Sequence, residues 1–574
     1  MKTLLKYLKP FAPRMGLGFS IKVAGTVLEL LLPYILSHIL KNVVAQQDLR
    51  QILLWGGAMI LCSLLAVICN IAANRMAARV SRNFSAAVRH DLFARTLHLS
   101  AAQTDRFTIP SLEARITTDT YNIHNFVGMM QRMGVRAPIL LIGGVCITLV
   151  MDRHLALVMI AMLPIIFAIV LFISRKGVPL YSKVQRSVDG MTRVVREDTQ
   201  GIRVIKALSK RDYEHRRFDR VNRSLVKDER RASIVMGSVH PVMNVLMNGG
   251  IVAVVAISAS RVSAGTSDPE TVIAFMQYFT QISMAMMSLT RMFTMYTKSA
   301  ASARRIAEVL DAPEDLTVKS EADYPRKDTE NHIEFEDVGF SYIGRRSDLE
   351  HISFTLPRGG SLGIIGATGS GKSTLIKLLL RFYDVDSGAV RINGRDVRTI
   401  PHDELYAMFG TAMQFDFLYA DTIEENIKFG RDLTHEKVVQ AAVIAQADDF
   451  ITAFAEGYGH MLAQKGTNIS GGQKQRLLIA RAVAAKPDIL VLDDSSSALD
   501  YKTDAALRRA LAERMKGTTV VTVAQRVSSV KGCDLILVLD EGRIIGAGSH
   551  EELLERCPEY REISESQMGG ALLD

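Results

Sequence analysis

The sequence predicts a multidomain membrane protein: an all-α domain of six membrane-spanning helices with long intracellular extensions, followed by a soluble α/β domain. Three observations carry that prediction. Apolar runs long enough to cross a bilayer crowd the first half of the 574 residues. Lys and Arg concentrate in the long stretches between those runs. In the second half, a strand pattern, a glycine-rich loop and a helix pattern follow one another directly.

Composition sets the bounds. Hydrophobic residues make up 48% and mean hydropathy is +0.14, more than a soluble enzyme needs. Net charge is +9. Nucleic-acid binding would put that charge on one aromatic-studded face. Here much of it lies between the apolar runs, so no nucleic-acid partner is expected and a lipid bilayer is. Cys62, Cys69, Cys146, Cys533 and Cys557 show neither CxxC nor metal spacing and are read as reduced. The basic start "MKTLLKYLKPFAPRMGLGF" has no small-residue cleavage site. It reads as a cytoplasmic lead-in helix rather than a signal peptide.

A bilayer core needs about 20 apolar residues per helix. Six runs qualify: 15–40, 50–74, 133–151, 154–174, 236–261 and 271–297. "DRH" (152–154) and "SRVSAGTSDPE" (260–270) are short outer hairpins. The second-to-third and fourth-to-fifth connections carry "RMAARVSRNF" and "RRFDRVNRSLVKDERR". Their basic charge places them, and both termini, on the cytoplasmic side of the cell membrane. Apolar positions at helical spacing and little Pro or Gly make these connections helices. About 25 residues of helix reach roughly 40 Å beyond the membrane. Short turns are expected at the tips, near 104–120 and 197–212, and the tips need a cytoplasmic partner to bury their apolar residues.

Several span residues invite functional readings. Glu29 sits mid-span, where charge is expensive, and reads as a packing or gating residue or as the wall of a wet cavity. Arg132, Arg136 and Arg291 either contact an anionic group or snorkel to the interface. Met276, Met284, Met286, Met287, Met292 and Met295 cluster in the last span, as helix filler or as a soft substrate surface.

The polar stretch 311–332 reads as a linker between a membrane domain over 1–310 and a second domain over 333–574. That domain contains "SLGIIGATGSGKSTLIKLLLRF", with the pattern Gly366-x-x-x-x-Gly371-Lys372-Ser373. Glycines let backbone N–H groups curl around phosphates, and the helix N-terminus adds its dipole. Lys372 would reach the β/γ-phosphates and Ser373 would ligate Mg²⁺. Asp493, ending the strand "ILVLD", reads as the second Mg²⁺ group. Ser470, Gly471, Gly472 and Gln473 open a further helix, a second anion-binding terminus in the same chain. One phosphate loop does not need two such ends, which suggests that this one caps a γ-phosphate held by another subunit.

These motifs together resemble a half-transporter of the ABC exporter class, and the resemblance covers nearly the whole chain. "GATGSGKST" resembles the Walker A loop: Gly366, Ala367, Thr368, Gly369, Ser370, Gly371, Lys372, Ser373 and Thr374. "NISGGQ" is similar to the signature motif, with Ile469 where Leu is usual. "ILVLDD" resembles Walker B, and "SALD", ending at Asp500, the D-loop. Gln414 matches the Q-loop residue that joins the Mg²⁺ and catalytic groups, and Tyr342 the aromatic that stacks on adenine. "GIRVIKAL" resembles the second intracellular loop that docks on the ATPase. The resemblance implies an exporter-type transmembrane fold and a P-loop nucleotide-binding domain with a helical subdomain. It also implies a dimer holding two ATPs with Mg²⁺, whose closure drives the membrane helices.

Two positions depart from the family pattern. Asp494 stands where Glu is the usual base, and Gln525 where His is the usual switch. Asp is one methylene shorter, and a misplacement of about 1 Å can cost on the order of 100-fold in rate. Gln donates a hydrogen bond but carries no positive charge. A site that binds ATP and hydrolyses it slowly is expected. With a nearly intact signature, the resemblance then implies a heterodimer whose partner supplies the working Glu and His. The expected activity is ATP-driven export of drugs, lipids or peptides. The alternatives are a homodimeric exporter or lipid flippase using Asp494 as base, and an exporter-fold importer, as for siderophores.

Overall fold

The computed structural model describes residues 2–263, 269–342, 344, 347–414 and 417–569. It divides into two compact units, Met1–His98 with Phe107–Ala312, and Leu99–Arg106 with Pro313–Asp574.

Among the described residues, six helical stretches of the first unit are long and apolar enough to cross a membrane. Its main helices are α1 (Ala12–His38) and α2 (Leu49–Leu97), then, beyond the short α3 (Ala101–Phe107), α4 (Thr120–Met151), α5 (Arg153–Gln200), α6 (Ile202–Ala207), α7 (Arg211–Gly237), α8 (Val239–Ser263) and α9 (Pro269–Leu310). The expected helical connections are present. α2 is unbroken over 49 residues, roughly 74 Å at 1.5 Å per residue. Asp48 and Asp152 start α2 and α5 by accepting backbone N–H bonds with their side chains. The outer hairpin expected at 260–270 lies partly outside the described residues.

The tips differ from expectation. They are short helices rather than turns, α3 and Ile109–Ala114 at the first tip and α6 at the second. Enough helix-forming residues remain there to close a turn or two of hydrogen bonds. Residues 99–106 belong to the second unit. Tyr383 Oη donates to Asp105, Gln103 Nε2 donates to the Pro313 carbonyl at 2.6 Å, and Ala101 packs on that unit's core. On and after α6, Ile202, Val204 and Leu208 stay exposed.

Span charges find partners across helices. Arg136 has a partner inside the protein: its Nε and Nη2 donate to Glu29 at 3.0 and 2.8 Å. Glu29 is therefore an ion-pair partner of Arg136. At the base of α4, buried Asp119 accepts from Arg305 Nε at 2.7 Å and Ser302 Oγ at 2.8 Å, both on α9. Of the last span's methionines, Met286 is buried while Met276 and Met284 are exposed.

The second unit holds two sheets. The four-stranded antiparallel one has the order β2-β1-β4-β5, from β1 (Asn331–Phe340), β2 (Leu349–Pro357), β4 (Ser387–Ile392) and β5 (Arg395–Asp396). The six-stranded one has the order β10-β9-β3-β8-β7-β6, from β3 (Ser361–Gly366), β6 (Phe409–Ala412), β7 (Ile489–Asp493), β8 (Thr519–Val523), β9 (Leu535–Asp540) and β10 (Arg543–Gly548). Strands β3, β6, β7, β8 and β9 pair in parallel. β7 is buried throughout, as a central parallel strand must be. The helices that frame the site are α10 (Lys372–Leu379), α11 (Gly471–Val483), α12 (Tyr501–Arg514) and α13 (Pro558–Gly569). A smaller helical layer, Ile423–Lys428, His435–Ile444 and Asp448–Thr452, packs its apolar side against α11.

Replacing Asp119 with Ala strips Arg305 of its carboxylate and removes the Ser302 contact. The expected cost is about 2–3 kcal/mol. Helical circular dichroism should show a lower unfolding midpoint in the purified protein; an unchanged midpoint would contradict the role given to this contact.

Candidate nucleotide site

The site grows from the carboxyl ends of parallel strands, where open α/β sheets bind ligands. β3 ends at Gly366, whose φ is +154°. A Cβ there would lie 2.1 Å from the Leu539 carbonyl oxygen, so only glycine fits. Gly371, with φ +101°, precedes α10 and leaves its first N–H groups without a side-chain cap. Lys372 Nζ donates to the Gly366 and Ala367 carbonyls at 2.9 and 2.7 Å. Burial pushes its ammonium below the ordinary lysine range, against the pull of Asp493 and Asp494.

Asp493, at the end of β7, is buried and shares the wall of one cavity with Ser373. Burial raises its carboxyl; Ser373 opposes this and Asp494 adds to it. Asp494 turns out of the strand with φ +50°, and its N–H donates to the Val523 carbonyl at 2.9 Å. Its Oδ2 accepts from Gln525 Nε2 at 3.1 Å and from Gln414 Nε2 at 3.3 Å. Burial raises this carboxyl too, while the two amides hold it down.

A cavity of about 350 Å³ collects Thr368, Gly369, Gly371, Lys372, Ser373, Thr374, Gln414, Asp493, Asp494 and Gln525 along its walls. The hydroxyl and carboxylates are hard oxygen donors, and Ser373 and Asp493 line the same cavity. That donor set suits Mg²⁺. Tyr342 stands outside this cavity. Its hydroxyl donates to Thr374 Oγ1 at 3.3 Å, and Lys377 Nζ lies 5.2 Å from its ring centroid.

The remaining sequence candidates lie elsewhere in the unit. Ser470 and Gln473 close a capping box at the start of α11, leaving Gly471 and Gly472 as its first residues. Asp500 caps α12 by accepting from the Thr503 N–H and Oγ1 at 2.9 and 2.8 Å. Gln475, unremarked in the sequence, stitches the two regions together. Its Nε2 donates to Ser497 Oγ at 3.1 Å, and its Oε1 accepts from Ala498 N at 2.9 Å.

Gln567 was equally invisible. From α13 its Nε2 donates to the Gln525 carbonyl at 2.9 Å, and its Oε1 accepts from Val527 N at 2.8 Å. One side chain thus holds the backbone on both sides of Arg526. Tyr560 of α13 packs with Ala524 and Val527, so the C-terminal helix braces the whole switch segment.

A family model for the ABC transporter transmembrane region matches residues 15–286, and a second, for the ABC transporter, matches 349–497. The ABC transporter ATP-binding protein YfiB of Bacillus subtilis is 33% identical over 571 residues, 99% of each chain. The putative ABC transporter ATP-binding protein exp8 of Streptococcus pneumoniae is 30% identical over 575 residues, 99% of this chain and 97% of its own. A solved bacterial Atm1-family ABC exporter with ATP bound shares the fold. Its TM-score is 0.81 at 23% identity, over 97% of this chain and 98% of that one.

Gln567→Ala should speed amide hydrogen exchange at Val527 about tenfold, the worth of one or two hydrogen bonds. Exchange in the neighbouring strand β8 should stay as it was. Unchanged exchange at Val527 would remove Gln567 from the switch.

Proposed function

The chain belongs to the ABC transporter family, a membrane half-transporter with six apolar spans and an ATPase coupled to transport, and we propose that it works as the slow-site half of a heterodimeric exporter. The carrying observation is the state of Asp494. Its Oδ2 is shared by two neutral amides, Gln414 and Gln525. A general base must offer a free lone pair to the proton it takes. With Oδ2 engaged twice, the proton must be taken by Oδ1 of a carboxylate whose basicity the two amides lower, on a side chain one methylene shorter than the usual glutamate.

In this reading the loop from Gly366 to Thr374 and the open end of α10 hold the ATP phosphates, with Lys372 released from its own loop to meet them. Tyr342 takes the adenine. Ser373, Gln414 and Asp493 hold Mg²⁺, which supplies neutralising charge at the phosphates when bound. Gln525 donates to the γ-phosphate without positive charge, so it stabilises developing charge less than a protonated histidine would. The partner's nucleotide is met by Ser470, Gly471, Gly472 and Gln473, with Asp500 and its cap fixing the neighbouring loop. The exposed Ile202, Val204 and Leu208 suit a docking surface for the second half-transporter. Basic connections between spans support a cytoplasmic ATPase and cytoplasmic termini. The cargo class is hydrophobic or amphipathic: a drug, a lipid or a peptide.

One observation favours the homodimeric reading. Burial lifts the Asp494 carboxyl above its ordinary range, which makes it a better base than an exposed aspartate.

Two substitutions separate the readings. At Gly471 a Cβ would already sit 3.7 Å from the Ala498 Cβ, so Gly471→Leu crowds the D-loop and the opposite nucleotide. It should lower ATP turnover of the assembled transporter about 100-fold or more. Asp494→Asn should cost only about twofold, on the same order as an unused base. Loss of turnover in Asp494→Asn would establish Asp494 as the working base and end the slow-site reading.

A further inference from the structure

α1, α2 and α4 of the membrane unit meet around charges that the nucleotide site does not use. Lys22 of α1 is 4% exposed. Its Nζ donates to Asn70 Oδ1 at 2.7 Å and Asn74 Oδ1 at 3.2 Å, both on α2. An ammonium has three N–H donors, and these two acceptors are neutral amides. Two turns further along α1, Glu29 holds Arg136 of α4 in a two-pronged ion pair. One turn before Arg136, the exposed Arg132 rests its Nε on the Gly128 carbonyl at 3.0 Å. The charges acting on Lys22 are Arg136, Glu29 and Arg132.

Three cations less one carboxylate leave this group two charges positive. In an apolar slab such an excess is expensive unless a counter-charge meets it. The three cations are not equally placed for one. Lys22 is sealed behind its amides and acts through its field alone. The Arg136 side chain is 40% exposed and Arg132 is exposed. Glu29 takes the Nε and Nη2 of Arg136 and leaves its Nη1, while the two Nη groups of Arg132 match the oxygens of a phosphate or carboxylate. Met133, the residue after Arg132 on α4, is an exposed apolar side chain. Soft methionine surface next to a fork of donors suits a molecule with an apolar tail and an anionic head.

We propose that Arg132 and Arg136, backed by Lys22 and oriented by Glu29, form a recognition site for the anionic group of an amphipathic molecule. The proposal rests on the export reading and narrows its cargo to amphipathic anions. Glu29 is a positioning residue here: it aims Arg136 and brings three positive charges down to a net two.

The test uses the assembled full-length transporter in phosphatidylcholine nanodiscs without ATP. Dodecyl phosphate and dodecyltrimethylammonium are titrated in turn, with protein-free nanodiscs correcting for partition. Dodecyl phosphate should bind saturably and the cation should not. Arg132→Gln and Lys22→Gln should each weaken dodecyl phosphate about tenfold, the effect of one charge at partly screened distance. Lys22→Gln matters most, because a contact-only site would not feel a sealed residue. Binding of a fluorescent ATP analogue reports folding in every variant. Nanodiscs containing phosphatidylglycerol identify the source of the anion. A raised apparent Kd supports the site as one for lipid headgroups, and an unchanged Kd supports it as one for free amphiphiles. Equal binding of the two probes, or affinity unchanged in both variants, overturns the site. Binding without ATP-driven movement of dodecyl phosphate would overturn the export reading and leave the site standing.

Discussion

The parallel pairing of β6, β7 and β8 places the chemistry of the nucleotide edge. Leu492 stands beside Ala412 and Thr522, and Asp493 beside Val523. Side chains leave a strand alternately to its two faces, so this register decides which groups arrive at the edge together. Two residues beyond β6 comes Gln414, one beyond β7 Asp494, two beyond β8 Gln525. Each strand stops one or two residues before its polar group, and the two amides close on one oxygen of the Asp494 carboxylate. A slip of one residue in β7 would turn Asp493 to the other face of the sheet and break the set. The slow-site reading is a consequence of that convergence: two amides long enough to reach a short carboxylate.

The switch segment after β8 has little hydrogen bonding of its own, and the rest of the unit supplies what it lacks. α13 provides Gln567 and the packing of Tyr560, while α11 fastens the neighbouring loop through Gln475. The membrane unit follows a parallel rule. Its interior charges are joined between helices: Glu29 of α1 to Arg136 of α4, Asp119 below α4 to Arg305 of α9. Each such pair fixes the register of two helices, since leaving either partner alone in an apolar setting is costly.

Much of this was legible in the sequence. Helix and strand periods and run length gave the six spans, their helical extensions and the strands flanking the glycine-rich loop, because those signals are local. The close of "ILVLDD" and "TVVTVAQ" on one edge was legible too, as two apolar runs ending in polar residues. The partners of charged residues were not. Glu29 and Arg136 are 107 positions apart, and Gln567 and Gln525 are 42 apart. No period links residues that only folding brings together. Lys22 drew no notice, since one lysine in a long apolar run looks like an interface residue until its two asparagines are seen. Short helices such as those at the tips have too few residues to show a period, so the sequence there reads as turns.

The subunit composition of the native complex tests the central claim most directly. The tagged chain is extracted gently from its own cell, and the denatured intact masses of what co-purifies are recorded. The account predicts a second half-transporter of similar size in equal amount, with Glu and His where this chain has Asp494 and Gln525. A single species, dimeric in native mass and active on ATP, would contradict it and make Asp494 the working base.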